Sequence, residues 1–169
     1  MSLQDDLKKQ ARQLATREPK RPRQASLRRA ISTAYYALFH LLVAESSRLL
    51  LTGQNRQHLR DTLARAFAHA DMKKVAQQFA TSNVQGKIAP ALAGNPIPAQ
   101  LQDVAQTFID LQQARHEADY DVSRRFTRSE TLDLIDQADQ AFIDWSQTRR
   151  DPAAEAFMLT LLITNRLKS

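Results

Sequence analysis

One segment limits the architecture of this chain more than any other. From about Gln24 to Leu51 it reads as one helix with two apolar stripes. Leu27, Ile31, Ala34, Tyr35, Leu38, Leu42 and Leu49 form the first, and Phe39, Val43 and Leu50 the second. A helix apolar around most of its circumference is touched on several sides, so this one belongs at the centre of a helical assembly. Its first half, "RRAISTAYYALFH" from Arg28 to His40, still carries one polar line: Arg29, Thr33, Tyr36 and His40, at steps of four, three and four. That spacing keeps them on one strip of the helix. The strip is either the plain outer edge of a central helix, its Tyr and His bonded to neighbours, or the lining of a site.

The flanking sequence supplies the other helices. Ser2 can cap a first helix with Leu3, Leu7, Ala11 and Leu14 on one face, and Pro19 and Pro22 stop it. Gly53 suits the end of the central helix, and Asn55 can cap a third helix carrying Leu59, Leu63, Ala66 and Phe67, with a break near Asp71. Met72, Val75, Ala76 and Phe79 then continue helically. The pattern fails from Val84 to Pro98, an apolar loop expected to pack on the bundle or on a partner. Pro98 opens a helix with the core line Leu101, Val104, Phe108, Leu111, Arg115 and Ala118. Thr127 to Glu130 is a capping box for the next, with Leu132, Ile135, Ala138, Phe142 and Trp145 inward. Asp151-Pro152 opens the last, whose apolar side includes Leu159, Leu162 and Ile163. The fold expected is all-α, an antiparallel up-and-down bundle of five to six helices. It is read as one domain over 1–169: an N-terminal helix and basic linker (1–23), a bundle core (24–146) and a C-terminal helix (151–169).

Three glycines and no cysteine fit that reading, and the missing cysteine removes disulfides, thiolate metal sites and a cysteine nucleophile. No signal peptide or membrane-length apolar run is visible, so a soluble, cytoplasmic protein is expected. His40, His58, His69 and His116 show no metal-binding spacing, and no Gly-rich phosphate loop is present; neither a metal nor a cofactor is expected.

The net charge of +6 is concentrated. Arg17, Lys20, Arg21, Arg23, Arg28 and Arg29 face one acid, Glu18, within a single short stretch, and the rest of the chain is close to neutral. Such a segment is either a solvated linker or the footprint of a polyanion binder. A second constellation is "ARHEADYD", Ala114 to Asp121. Arg115 stands where the helix stripe calls for an apolar residue, so its guanidinium needs a carboxylate, water or an anionic ligand. Asp119, one turn on, and Glu45 are the candidate partners. His116 and Tyr120 lie on an adjacent face. An internal ion pair beside a core tyrosine is one reading; a phosphate-binding arginine with a histidine in reach is the other.

Together, "RRAISTAYYALFH" and the later "RHEADYD" resemble the HEPN superfamily of small helical domains, over roughly Gln24 to Ser146. The resemblance implies a dimeric helical bundle associated with RNA or nucleotides. It also implies a protein partner encoded nearby, such as a nucleotidyltransferase or a toxin–antitoxin mate. Catalytic members cut RNA without metal, using an Arg, a polar neighbour and a later His. Here Arg115 and His116 match, but Tyr120, Asp121 and Val122 stand where that His is sought. The expected function is therefore a nucleic-acid- or nucleotide-associated binding module. Arg21, Arg23, Arg28, Arg29 and Arg115 are its phosphate contacts, and Tyr36, His40, Asp119 and Tyr120 its pocket. The alternative is a metal-independent endoribonuclease in which Arg115 and His116 are catalytic.

Overall fold

A computed structural model describes residues 1–167; the last two residues of the expected C-terminal helix lie outside the described residues. The described residues form an all-helical fold. Its α-helices are α1 (Leu3–Ala15), α2 (Gln24–Leu50), α3 (Gln57–Ala64), α4 (His69–Ala80), α5 (Ala99–Tyr120), α6 (Arg128–Thr148) and α7 (Pro152–Ile163). Short 3-10 segments cover Gly86–Leu92 and Thr164–Leu167. None of the described helices is long and apolar enough to cross a membrane.

Two compact units emerge. The first comprises Met1–His40 and Thr107–Ile143, the second Leu41–Gln106 and Asp144–Ser169. Helices α2, α5 and α6 each contribute residues to both, so no single cut in the sequence separates them.

In the first unit the core is built on α2. From Ser26 to His40 only Arg29 is exposed, as the two apolar stripes require. Leu27 and Ile31 pack with Ala114 and Ala118 of α5 and with Phe126, and Leu134 of α6 closes the cluster. Tyr35 is fully buried, 5.6 Å from the Phe108 ring. Helix α1 buries only Ala11 and Ala15. Ion pairs hold it instead: Arg12 Nη2 lies 2.6 Å from Asp136 and 2.8 Å from Asp139, and Lys8 Nζ lies 3.4 Å from Asp139.

In the second unit α7 packs on α4 and on the Gly86–Leu92 turn. Phe79 and Phe157 meet with ring centroids 4.9 Å apart, and Ile88 is buried. Much of the apolar Val84–Pro98 segment is thus a 3-10 element seated on its own unit.

Caps placed by local sequence hold in several places. Ser2 accepts from the Asp5 amide, Thr127 Oγ1 from the Glu130 amide at 3.1 Å, and Asp151 from the Ala153 amide at 2.8 Å. Three details differ. Asn55 does not cap α3: it sits in the left-handed region at φ 59°, and Arg56 is the N-cap without a side-chain bond. The break after α3 falls at Arg65–Ala68, ahead of Asp71, because Ala68 is extended and α4 restarts at His69. In α7 the buried side is Ala154, Phe157, Met158 and Leu161, while Leu159, Leu162 and Ile163 are half-buried. That helix is apolar all round, so periodicity cannot choose its inner face.

Arginine side chains close three helix C-termini. Arg28 donates to the carbonyls of Ala118 and Asp121, both at 2.8 Å, and to that of Arg124, beyond the end of α5. Arg60 donates to Leu51 O at 2.8 Å and to Gly53 O, past the end of α2. Arg128 donates to Ala15 O at 3.2 Å, to Pro19 O at 3.1 Å and to Glu18 O, beyond α1. The last carbonyls of a helix have no partner within it and carry its negative dipole end, so a planar cation with several donors suits them.

Candidate functional site

The polar strip of α2 lines a groove. In the first unit, Arg29, Ser32, Thr33, Tyr36 and His40 form one wall of a groove of about 500 Å³. Leu3, Leu7, Gln10 and Leu14 of α1 form the other. Leu3, Leu7 and Leu14, which sequence periodicity places on one helix face, therefore border this groove; Leu3 is 57% exposed. Local folding explains the strip. Thr33, only 5% exposed, returns its hydroxyl to Arg29 O at 2.7 Å, which satisfies its polar group.

Behind the groove lies Arg115, whose side chain is 18% exposed. Its Nη2 donates to Tyr36 Oη at 3.1 Å. Its Nε lies 2.8 Å from Asp119 Oδ2, but the N–H is not aimed at that oxygen, so the contact is ionic and the buried N–H has no acceptor. The same carboxylate accepts from Ser32 Oγ at 2.6 Å through Oδ1, which fixes it against α2. The guanidinium also faces three rings, those of Tyr35, Tyr36 and Tyr120, at 5.9, 5.6 and 5.8 Å from their centroids. Burial disfavours its charge, yet Tyr36, Asp119, Tyr120 and Tyr35 together outweigh that and raise its pKa. Arg115 is thus a fixed cation, and Tyr36 connects it to the groove.

His40 completes the far end of the strip. Its ring centroid is 6.2 Å from that of Tyr36, and burial lowers its pKa, so its neutral form is favoured. Tyr35 is pushed strongly upward, chiefly by burial, and stays protonated.

The other site residues named from sequence are placed differently. His116 is exposed and stacks on Tyr120, centroids 5.0 Å apart. Tyr120 is itself 65% exposed, and no hydrogen bond or ion pair among the described residues joins His116 to Arg115. Glu45 is not the partner of Arg115: it belongs to the second unit and pairs there with Arg48 and Arg149. Arg28 does not face solvent as a phosphate contact; it caps α5 as described above. Arg21, Arg23 and Arg29 are exposed, as are Arg17 and Lys20, and none of the five makes an ion pair among the described residues. Glu18, the lone acid of that segment, is turned inward. It accepts from Ser26 Oγ at 2.8 Å and from the Arg23 amide at 3.3 Å, capping the start of α2. The Ser26 bond, with smaller help from Arg23 and Arg17, holds its pKa low.

Two contributors escaped sequence reading. Ser32 is the residue that anchors Asp119, yet it lies off the 29-33-36-40 line. The α1 leucines were legible only as a helix face. The groove therefore offers a cation at Arg29, a phenol and a neutral imidazole opposite an aliphatic wall. That combination suits a ligand with an anionic group and an apolar or aromatic body. Comparison with family models, curated proteins and solved structures finds no match.

Proposed function

We propose that this chain is a HEPN-like module that binds a polyanion, RNA or a nucleotide, as a homodimer working with a protein partner such as a nucleotidyltransferase or toxin–antitoxin mate. One observation carries the reading: five exposed cations, Arg17, Lys20, Arg21, Arg23 and Arg29, lie in one stretch with no internal ion pair, and its only acid is bonded to Ser26. A cation held in an ion pair must give it up to bind phosphate; these five have none among the described residues, although Arg23 and Arg17 act on Glu18 through space. Arg29 belongs to both the basic segment and the groove, so an anion drawn to the segment arrives at the strip. Arg115 supports the wall from behind through Tyr36 rather than touching the ligand.

Cleavage is the weaker reading. A general acid or base must reach the reacting atoms, and His116 is exposed against Tyr120. The test is a fluorescence-anisotropy titration of a labelled oligoribonucleotide over a range of salt. Binding that weakens steeply with salt and is lost in Arg21→Glu/Arg23→Glu is the expected result. No affinity at low salt would overturn the reading.

A further inference from the structure

The second unit holds a cluster that the proposed function does not use. Glu45 is only 6% exposed, yet all its bonds are to strong donors. Its Oε1 accepts from Arg48 Nη1 at 3.1 Å, and its Oε2 lies 3.0 Å from Arg149 Nη2 and 3.2 Å from Nε1 of Trp145. Each arginine uses a single nitrogen on this carboxylate, and their side chains remain 56% and 50% exposed. The remaining N–H groups of both guanidinia have no acceptor among the described residues. Arg150, next along the chain and exposed, has none either. All three arginines line one recess of about 230 Å³, which Glu155 and Met158 border on the α7 side.

A buried carboxylate seldom stabilises a fold more than an apolar residue of its size. What Glu45 does is hold one nitrogen of each of two long, flexible side chains, both of which line the same recess as Arg150. Planar guanidinium forks match pairs of phosphoryl oxygens, and fixing them beforehand lowers the entropy cost of binding. With three arginines against Glu45 and Glu155, the lining keeps one positive charge before any ligand arrives. The recess is small beside ordinary ligand pockets of roughly 300–1,000 Å³, which fits one phosphoryl group better than a whole nucleotide.

We infer that Arg48, Arg149 and Arg150 form a phosphoryl-binding site, with Glu45 as its positioning residue. The group it takes is a free phosphate, a phosphate monoester or one phosphate of a nucleic-acid backbone. None of these residues belongs to the basic segment, so the site stands or falls separately from the function proposed above.

Trp145 is the sole tryptophan and donates directly to Glu45, so its emission reports on this cluster. The full chain is titrated with inorganic phosphate, with a nucleoside monophosphate and with a short oligoribonucleotide. Ionic strength is held constant with chloride, and calorimetry accompanies emission. A saturable transition is expected, its midpoint rising at least about tenfold in Arg150→Ala, the scale of one charge-assisted hydrogen bond. That variant leaves all three donors of Glu45 in place. Saturation by inorganic phosphate identifies a small-anion ligand, and saturation by the oligonucleotide alone identifies a backbone phosphate; either supports the site if Arg150→Ala weakens it. No saturable transition with any of the three, or an unchanged midpoint in Arg150→Ala, overturns it. The Arg21→Glu/Arg23→Glu variant should retain the Arg150-dependent transition with inorganic phosphate.

Discussion

Arg28 shows how much one side chain can do away from any ligand. Its guanidinium takes carbonyls of α5 and of the turn that follows, and it lies 5.6 Å from the Phe126 ring centroid. Removing it leaves part-buried carbonyls without a donor, so Arg28→Ala should cost about 2–3 kcal/mol. Arg28→Lys should recover little of this, because an ammonium cannot span several carbonyls as a planar fork does. Urea unfolding of both variants measures the difference, and a fully stable Lys variant would refute the capping role. His40 makes a different prediction. Burial lowers its pKa below the ordinary 6.5, so the unfolded chain binds the proton more readily. Stability is then intact above that value and falls as the pH drops from it toward the lower folded pKa. Replacing His40 with Gln should flatten this part of a melting-temperature profile, whereas Glu18 titrates in a more acidic range. The carboxylate of Glu18 is favoured in the fold by Ser26, so its contribution is lost only as pH falls through its own depressed pKa.

Among the helices of the first unit, α1 is the one most lightly held. It buries two alanines and leaves its leucines on the groove, so its attachment rests on Lys8, Arg12 and the cap from Arg128. Arg128→Ala should raise amide exchange across Leu3–Ala15 while the α5 and α6 segments of the same unit stay protected. Uniform protection would show that the ion pairs suffice. The elements also mark what the sequence could reveal. Helices with local signals were legible: Ser2, the Thr127–Glu130 box and Asp151-Pro152 all cap within three residues, and the α2 stripes announced a central helix. In the capping box, though, Glu130 pairs with Arg124. The partner of Arg115 was legible as well, because Asp119 is one turn away. Long-range bonds were not. Nothing near Arg28, Arg60 or Arg128 in sequence shows that each reaches the end of another helix. Nor does spacing within α5 show that His116 turns toward Tyr120 and solvent rather than toward the guanidinium. Asn55 failed as a cap because its small polar side chain equally suits a left-handed turn, the state it adopts.

For the molecule as a whole, net charge and usable charge differ. Of 24 lysines and arginines, several pair with carboxylates or cap helices, and the densest group of exposed cations without an ion pair among the described residues lies between Arg17 and Arg29. Neutralising about five phosphates of a single strand predicts a slope near −3.5 for log affinity against log salt. Arg21→Ala/Arg23→Ala should bring it to roughly −2. An unchanged slope would mean that the anion is met elsewhere. The same arithmetic says that Arg28→Ala, though it costs stability, should leave the slope where it was.

A scaffold whose helices are closed by guanidinium groups has an unusual chemical weak point. Dicarbonyl reagents, which condense with arginine, would open the ends of α1, α2 and α5 together, while acylation of the lysines would leave those ends shut. Protein treated with phenylglyoxal should therefore lose its helical circular-dichroism signal at a dose that merely strips charge from an ordinary basic domain.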